Sequence, residues 1–254
     1  MGIQIVAHRG DSGSAPENTL AAFRRAVELG ADFVELDYHV SRDGVMVVIH
    51  DMMLDRTTDA AGHPNFGPGV RVCDRTWEEL RQLDASAWPS GRWRDFPRTT
   101  ILSLEEALDE VVVRGGCQCI VERKPGTARA GGLCELIRRM GIRDRVVITS
   151  GAGEADAWDF LDECGERLDG VRLAYQLSCD SYRDPVGLAK GRYVSCEQGL
   201  LSRPMVERLR ERGLRVFAWT VNDPEDALRL GALGVEGIVT DHPACVSRAL
   251  RHAR

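Results

Sequence analysis

The sequence has very little lysine and no long apolar run. Only Lys124 and Lys190 are lysines among its 33 basic residues, so each is a candidate for a position that needs a compact point charge rather than the planar fork of arginine. The longest apolar stretches have the length of a strand, which excludes a membrane-spanning helix. The net charge of -6 argues against a nucleic acid partner, because binding a phosphate backbone relies on clustered basic residues.

A signal peptide and a disulfide framework are not expected either. The segment IQIVAHRG near the first residue has neither the charged nor the hydrophobic region of a signal peptide, so we expect a cytoplasmic protein. The eight cysteines are scattered through a chain too long to need disulfides. Cys117 and Cys119 form the only close pair, and no second pair or nearby histidine completes a zinc site. We therefore expect all eight to be reduced.

Short β-rich runs alternate with helical stretches along almost the whole chain. Such alternation indicates a parallel sheet with right-handed crossovers. The strand candidates are residues 4–9, 33–40, 45–50, 119–124, 146–150, 172–177, 193–197, 215–220 and 236–241. The main helix candidates are residues 19–29, 104–113, 131–140, 203–212 and 224–232.

One strand candidate must lie outside a barrel of eight strands. Parallel neighbours need a crossover of about a dozen residues or more, whereas Val40 and Val45 are joined by only four residues. The Asp43-Gly44 pair favours a tight turn there, which runs strand 45–50 antiparallel to its neighbour and brings His50 opposite Asp37. The remaining strands fit one (β/α)8 TIM barrel domain over residues 1–254.

Residues 51–103 break the alternation of strands and helices. This segment is rich in Gly, Pro, Asp and Trp and has one short helix candidate, near residues 76–83. A structureless loop of that length is improbable within a compact domain. The segment therefore predicts a small inserted cap subdomain after the second strand, over one mouth of the barrel.

Polar residues gather at the carboxyl ends of the strands, where the catalytic groups of such barrels lie. Ionisable side chains that face a barrel interior are costly to bury unless they are paired or metal-bound. Glu35 and Asp37 are two apart, so they project from the same face of their strand. The candidates as a group are His8, Arg9, Glu35, Asp37, His50, Glu122, Lys124, Trp219, Thr220, Asn222 and Asp241.

The candidate residues predict phosphoryl chemistry on a diester. Three of the carboxylates (Glu35, Asp37 and Glu122), with no cysteine among them, suit a hard cation such as Mg²⁺ or Ca²⁺. His8 and His50 can exchange protons near neutral pH. Arg9 and Lys124 provide fixed positive charge for an anion, and such charge stabilises the oxygens on phosphorus.

Structural interpretations stand beside these functional ones. Glu35 and Asp37 taken alone fit salt bridges with neighbouring arginines. Residues 17–19 (ENT) fit a helix start, with Asn18 or Thr19 as N-cap. We favour the functional interpretation because so many polar residues with suitable chemistry occur together at strand ends. Residues placed there for unrelated structural reasons would not be expected to do so.

The residues quoted above lie in motifs that resemble those of the glycerophosphodiester phosphodiesterases. The resemblance runs from about Gln4 to Cys245, and Arg123 is a departure, since it replaces the usual apolar residue. The matching motifs are AHRG at 7–10, ENT at 17–19, ELD at 35–37, DG at 43–44, IHD at 49–51, LDRTT at 54–58, VERK at 121–124, WTVN at 219–222 and TD at 240–241.

The resemblance implies a capped (β/α)8 barrel and metal-dependent hydrolysis of glycerophosphodiesters. The products would be sn-glycerol 3-phosphate and an alcohol, which places the protein in lipid and glycerol metabolism. The roles carried over by motif are metal binding by Glu35, Asp37 and Glu122, general acid and base catalysis by His8 and His50, phosphate binding by Arg9 and Lys124, and packing on the substrate's carbon skeleton by Trp219.

Two other functions stay open at this point. A phospholipase D-like enzyme of the same barrel would act on lysophospholipids or sphingolipids, release a cyclic phosphate, and need an apolar lip for acyl chains. A non-catalytic barrel would bind a phosphodiester or a partner protein, and it predicts the loss of a metal carboxylate or histidine, none of which is lost. The aromatic residues available for an apolar lip are Phe66, Trp77, Trp88, Trp93 and Phe96.

Overall fold

The computed structural model describes residues 2–126, 129–151, 156–179 and 193–252. Its strands are β1 (Gln4–Ala7), β2 (Phe33–Val40), β3 (Met46–Val48), β4 (Leu102–Ser103), β5 (Gln118–Arg123), β6 (Val146–Ser150), β7 (Arg172–Leu177), β8 (Tyr193–Glu197), β9 (Arg215–Trp219) and β10 (Gly237–Thr240). All except β3 and β4 are parallel neighbours, and β1 pairs with both β10 and β2. The predicted closed barrel of eight parallel strands is confirmed.

Helices cover the outside of the barrel. They are α1 (Leu20–Glu28), α3 (Leu104–Leu108), α4 (Ala130–Met140), α5 (Ala157–Arg167), α6 (Arg203–Glu211), α7 (Pro224–Leu233) and α8 (Pro243–His252), whereas α2 (Trp77–Leu80) lies in the segment between β3 and β4. Gly141 and Gly234 end α4 and α7 in the left-handed conformation, at φ +69° and +94°, which an L side chain rarely adopts. Among the described residues, no helix has both the length and the apolar character needed to cross a bilayer.

An antiparallel hairpin leaves the barrel after β2, as predicted. β3 pairs with β2, with Tyr38 opposite Val48, and β4 then pairs with β3. The ladder ends at Val48, so His50 lies beyond the strand that was expected to include it and is not paired across it with Asp37. β4 was not predicted, because two residues carry no periodicity.

The barrel interior is apolar beneath the polar strand ends. Phe33 lies on the same face of β2 as Glu35, so the apolar layer ends where the acidic side chains begin. Gly237 is required in this layer, because a Cβ there would lie 2.4 Å from the Phe217 ring. The interior cluster consists of Val6, Phe33, Ile120, Val147, Ala174, Tyr193, Phe217 and Val239.

Residues 51–103 pack together with the residues at β3 around an apolar cluster that is separate from the barrel interior. Its one α-helix, α2, begins with a capping box in which Thr76 and Glu79 bond each other's backbone N–H groups. The assignment of this segment as a cap subdomain within a single 1–254 domain stays a prediction. The apolar cluster consists of Val47, Ile49, Leu54, Ala60, Val72, Leu80, Leu83, Ala85 and Ile101.

All eight cysteines are free thiols in the structure, as expected, and five of them are buried. Burial raises the pKa of the Cys117 thiol to about 11 and that of the Cys196 thiol to about 12. Neither thiol is therefore a reactive thiolate near neutral pH.

Arg123 is almost fully buried, with 1% of its surface exposed, against β6 and α5. Its Nε donates to Ser150 Oγ at 3.0 Å, and its two terminal nitrogens donate to Asp156 at 3.0 and 2.7 Å. The guanidinium also lies 4.4 Å from the centroid of the Phe160 ring. Arg123 therefore fills the space of an apolar side chain and ties the start of α5 to the barrel.

We expect Arg123→Ala to lower the free energy of unfolding by about 2–5 kcal/mol, because it leaves a cavity in a packed layer. Arg123→Met should cost less, since methionine refills the space and Asp156, whose side chain is 67% exposed, stays hydrated without its partner. Urea unfolding of both variants measures this. Equal losses would show that the ion pair, not the volume, matters at this position.

Candidate functional site

A cavity of about 640 Å³ opens at the carboxyl ends of the barrel strands. It lies where the sequence placed the site, because parallel strands direct all their carboxyl ends to one mouth of the barrel. The predicted site residues that line it are His8, Arg9, Glu35, His50, Glu122, Lys124, Trp219 and Thr220.

The three predicted metal carboxylates converge beside this cavity. Glu35 and Asp37 share one face of β2, and the register of β2 and β5 places Glu122 beside Asp37. One oxygen from each of the three lies within 4.8 Å of the others. All three side chains are buried, and Asp37 is the deepest, with 1% of its surface exposed.

Two cations compensate most of this buried negative charge. The ammonium of Lys124 contacts Glu122 and lies 2.8 Å from Asp37 Oδ1. The Nε of Arg9 lies 3.2 Å from Asp37 Oδ2, and the Arg9 backbone N–H donates to Glu35 Oε2 at 3.0 Å. The cluster thus has three acidic groups and two basic ones.

The excess negative charge of the cluster mainly affects the protonation of Glu35. Burial raises the pKa of Glu35 well above its ordinary value, and the charges of Asp37 and Glu122 add to this effect. Burial alone would also raise the pKa of Asp37, but Lys124 and Arg9 outweigh it and hold that pKa below its ordinary value. Glu35 Oε1 is buried without a hydrogen-bond partner. A cluster of oxygen donors with an unsatisfied buried oxygen could hold a divalent metal ion.

Each candidate catalytic histidine is held by an aspartate. His8 Nδ1 lies 2.7 Å from Asp241 Oδ1, and His50 Nδ1 lies 2.6 Å from Asp51 Oδ1. Burial would raise the pKa of Asp241, but its bond to His8 and the charge of His8 hold that pKa below its ordinary value. When each Nδ1–H donates a hydrogen bond to its aspartate, Nε2 of each ring is left unprotonated and can take up a proton.

Three further residues contact the site, and the sequence interpretation missed their roles. Of the two candidates for the N-cap of α1, Thr19 is the N-cap, and Asn18 instead donates from Nδ2 to Asp37 Oδ2 at 2.8 Å. Glu17 bridges two arginines, of which Arg9 is one. The ENT motif was a signal for both Glu17 and Asn18. Gln176 of β7 donates to Glu122 and lines the cavity, and only its place at a strand end could have indicated it.

The apolar side of the cavity differs from the one expected. Trp219 lines it, as expected for a residue that packs against substrate. The aromatic residues of segment 51–103 do not line it in the described part of the chain; three of them pack edge-to-face with each other. Met52 and Met53 instead line the cavity, and they are 47% and 40% exposed.

Comparisons with known proteins show the family to which the chain belongs. Residues 8–245 match the model of the Glycerophosphoryl diester phosphodiesterase family. A glycerophosphodiester phosphodiesterase of Caldanaerobacter subterraneus is 31% identical over 260 residues, with 97% of each chain covered. The crystal structure of a glycerophosphodiester phosphodiesterase from Agrobacterium tumefaciens superposes with a TM-score of 0.79 at 27% identity, covering 97% of this chain and 99% of that one.

A phosphodiesterase of Oleispira antarctica, solved in complex with the product sn-glycerol-3-phosphate, also has a TM-score of 0.79 at 27% identity. That similarity covers 98% of this chain and 97% of the Oleispira chain. The family match includes both strands that carry the acidic cluster and both histidines. The chain therefore belongs to the glycerophosphoryl diester phosphodiesterase family and is a phosphoric diester hydrolase.

Proposed function

We propose that this protein hydrolyses glycerophosphodiesters to sn-glycerol 3-phosphate and an alcohol with the help of a divalent metal ion. The observation that carries the proposal is the buried cluster of Glu35, Asp37 and Glu122 beside two histidines in one cavity. The Oleispira relative solved with sn-glycerol-3-phosphate supports the choice of product.

The three carboxylates of the cluster would hold the metal ion. Oxygen donors of this kind suit Mg²⁺ or Ca²⁺. When bound, the ion would supply positive charge for a phosphate oxygen and lower the pKa of a hydroxyl or water. Asn18 and Gln176 would hold two of the carboxylates in orientation, since each donates to an oxygen of the cluster.

His8 and His50 would move the protons of the reaction. One imidazole takes the proton from the attacking oxygen, and the other protonates the leaving alcohol. Arg9 and Lys124 would bind the phosphate, because both line the cavity with positive charge. An ammonium has three donors, so Lys124 can serve Asp37, Glu122 and a phosphate oxygen together. Trp219 would pack against the carbon skeleton of the substrate.

A lysophospholipid or sphingolipid substrate is the second candidate. The exposed side chains of Met52 and Met53 at the cavity favour it, because they offer an apolar surface to an acyl chain. This second function also needs an aromatic lip, but no aromatic residue of segment 51–103 is among the described residues that line the cavity. A glycerophosphodiester with a small alcohol therefore fits the site better.

We further propose that the protein works in the cytoplasm on small-molecule substrates of lipid and glycerol metabolism. The free state of all eight cysteines supports a reducing compartment. Neither nucleic acid nor stable membrane insertion is part of this proposal, because the net charge is -6 and no described helix could span a bilayer.

We expect His8→Gln and His50→Gln each to lower kcat by about 10²–10⁴-fold, because each removes a proton-transfer group. Release of glycerol 3-phosphate measures the rate, and circular dichroism checks the fold. His252→Gln is the matched control, since His252 is exposed at the end of α8 and bonds the Arg248 carbonyl. Near-normal rates in either of the first two variants would reject its assignment.

We expect a chelator to abolish glycerol 3-phosphate release from a panel of glycerophosphodiesters, and Mg²⁺, Mn²⁺ or Ca²⁺ to restore it. Phosphorus NMR of the products from glycerophosphocholine and lysophosphatidylcholine separates the two candidate activities. A cyclic phosphate from the second substrate alone would favour the phospholipase D-like enzyme. No hydrolysis with any of the three metals would support a non-catalytic phosphodiester-binding barrel.

We expect Glu35→Gln to have opposite effects on metal binding and on stability. It removes one of three acidic groups that face two basic ones, so the metal-free protein should become more stable to urea. Metal affinity should fall by at least about 100-fold, more than is typical when a group behind the ligands is lost. Calorimetric titration with Mn²⁺ measures the affinity. Glu105→Gln, at an exposed ion pair with Arg139, is the control; a metal-free Glu35→Gln protein less stable than wild type would contradict the charge argument.

A further inference from the structure

A continuous chain of ion pairs connects one candidate catalytic histidine to one candidate phosphate-binding cation. Asp51, which holds His50, is contacted by Arg56 through Nε at 2.5 Å and through a terminal nitrogen at 3.1 Å. Arg56 also donates to both oxygens of Glu17, at 3.0 and 2.7 Å. Glu17 in turn accepts from Arg9 at 2.9 Å. We call Asp51, Arg56, Glu17 and Arg9 the Arg56 chain.

Arg56 is held tightly for a residue that is 43% exposed. Its planar fork meets two carboxylates in paired contacts, which is the strong geometry for arginine. Its guanidinium carbon lies 5.7 Å from the centroid of the Trp88 ring. The side chain is therefore fixed by two charges and one aromatic ring, unlike an isolated surface pair, which contributes little.

Arg56 does not line the cavity among the described residues, whereas Asp51 and His50 do. Arg56 is therefore not placed to contact substrate directly. Its position behind Asp51 is that of a residue that acts through its neighbours.

His50 depends on such support because it lies beyond the end of β3. A hydrogen bond of 3.0 Å between its backbone carbonyl and His39 Nε2 holds the backbone of His50. The ring of His50 is held by its contact with Asp51. Asp51 is adjacent in sequence and partly exposed, and Arg56 contacts both of its oxygens. Without Arg56, rotation of Asp51 would release the imidazole.

The other histidine is supported differently. Asp241, which holds His8, accepts from Ser12 Oγ at 2.9 Å and from Asn222 Nδ2 at 2.6 Å. Both donors are neutral and lie next to barrel strands. His50 differs in that Arg56, a cation of segment 51–103, bonds directly to the carboxylate beside it.

We propose that Arg56 is a positioning residue that orients His50 through Asp51 and ties it through Glu17 to Arg9. As a consequence, the imidazole of His50 and the guanidinium of Arg9 would stay at a constant distance from each other when substrate binds. This role rests on the proposed catalytic function of His50. Small displacements of a reacting group are costly, about 100-fold for 1 Å.

The test compares Arg56→Met with Arg71→Met, which removes a similar two-contact pair with Asp74 in the same segment. We expect Arg56→Met to lower kcat by about 10–100-fold, the usual loss for a residue that orients a functional group, with a smaller change in KM. Arg71→Met should stay close to wild type. Thermal melting checks that both variants fold.

A double-mutant cycle tests whether Arg56 acts through Asp51. In an Asp51→Asn background, Arg56→Met should cause little further loss of kcat. Added guanidinium should partly restore an Arg56→Ala variant but not the Asp51→Asn variant. A loss of the same size in both backgrounds, or unchanged kcat in Arg56→Met, would overturn the positioning role.

Nitrogen NMR of histidine-labelled protein gives an answer that does not need activity. The His50 signals are identified by their loss in His50→Gln. In the wild type they should show the tautomer with a proton on Nδ1, and in Arg56→Met a mixture of tautomers. An unchanged His50 spectrum in Arg56→Met would refute the proposal even if the protein hydrolyses no glycerophosphodiester, whereas normal activity of His50→Gln would refute the proposed function instead.

Discussion

The structure depends on the balance of charge at the mouth of the barrel. Three carboxylates are buried within reach of one another, and two cations offset most of their repulsion. Such a cluster is unfavourable unless every charge has a partner. The unsatisfied oxygen of Glu35 marks the place where the protein alone does not complete the balance. The same buried acidic groups that could hold a metal ion therefore carry a cost in stability.

The barrel and segment 51–103 both contribute residues to the site. Neighbouring barrel strands hold Asp37 and Glu122 in fixed register, and the backbone N–H of Lys124, just after β5, donates to the Tyr38 carbonyl. The segment 51–103 supplies Arg56, which reaches back to Glu17 beside the barrel. The two histidines differ in the same way: Asp51 beside His50 is contacted by Arg56, whereas Asp241 beside His8 is contacted by Ser12 and Asn222. Three aromatic residues of the segment, Trp88, Trp93 and Phe96, pack against each other.

The sequence correctly predicted the structural features that are encoded by a short repeat along the chain. Alternation of strands and helices predicted the barrel, and a spacing of two predicted that Glu35 and Asp37 share a face. It failed for features without a period. β4 has two residues, His50 lies past the end of its strand, and Gln176 contacts Glu122 from a strand 54 residues away in sequence. No local pattern encodes a contact of that separation.

The sequence by itself determined the chemistry of this protein, because the identity of the carboxylates, histidines and cations sets what they can bind and transfer. Its family motifs also determined the hydrolase class. Only the tertiary structure decided which neighbours tune each group. Asn18, one of two candidates for the cap of α1, is a partner of Asp37, and Glu17 joins Arg9 to Arg56. These contacts exist because barrel closure brings together residues from distant strands and loops, and the strength of electrostatic pairing depends on that distance and burial.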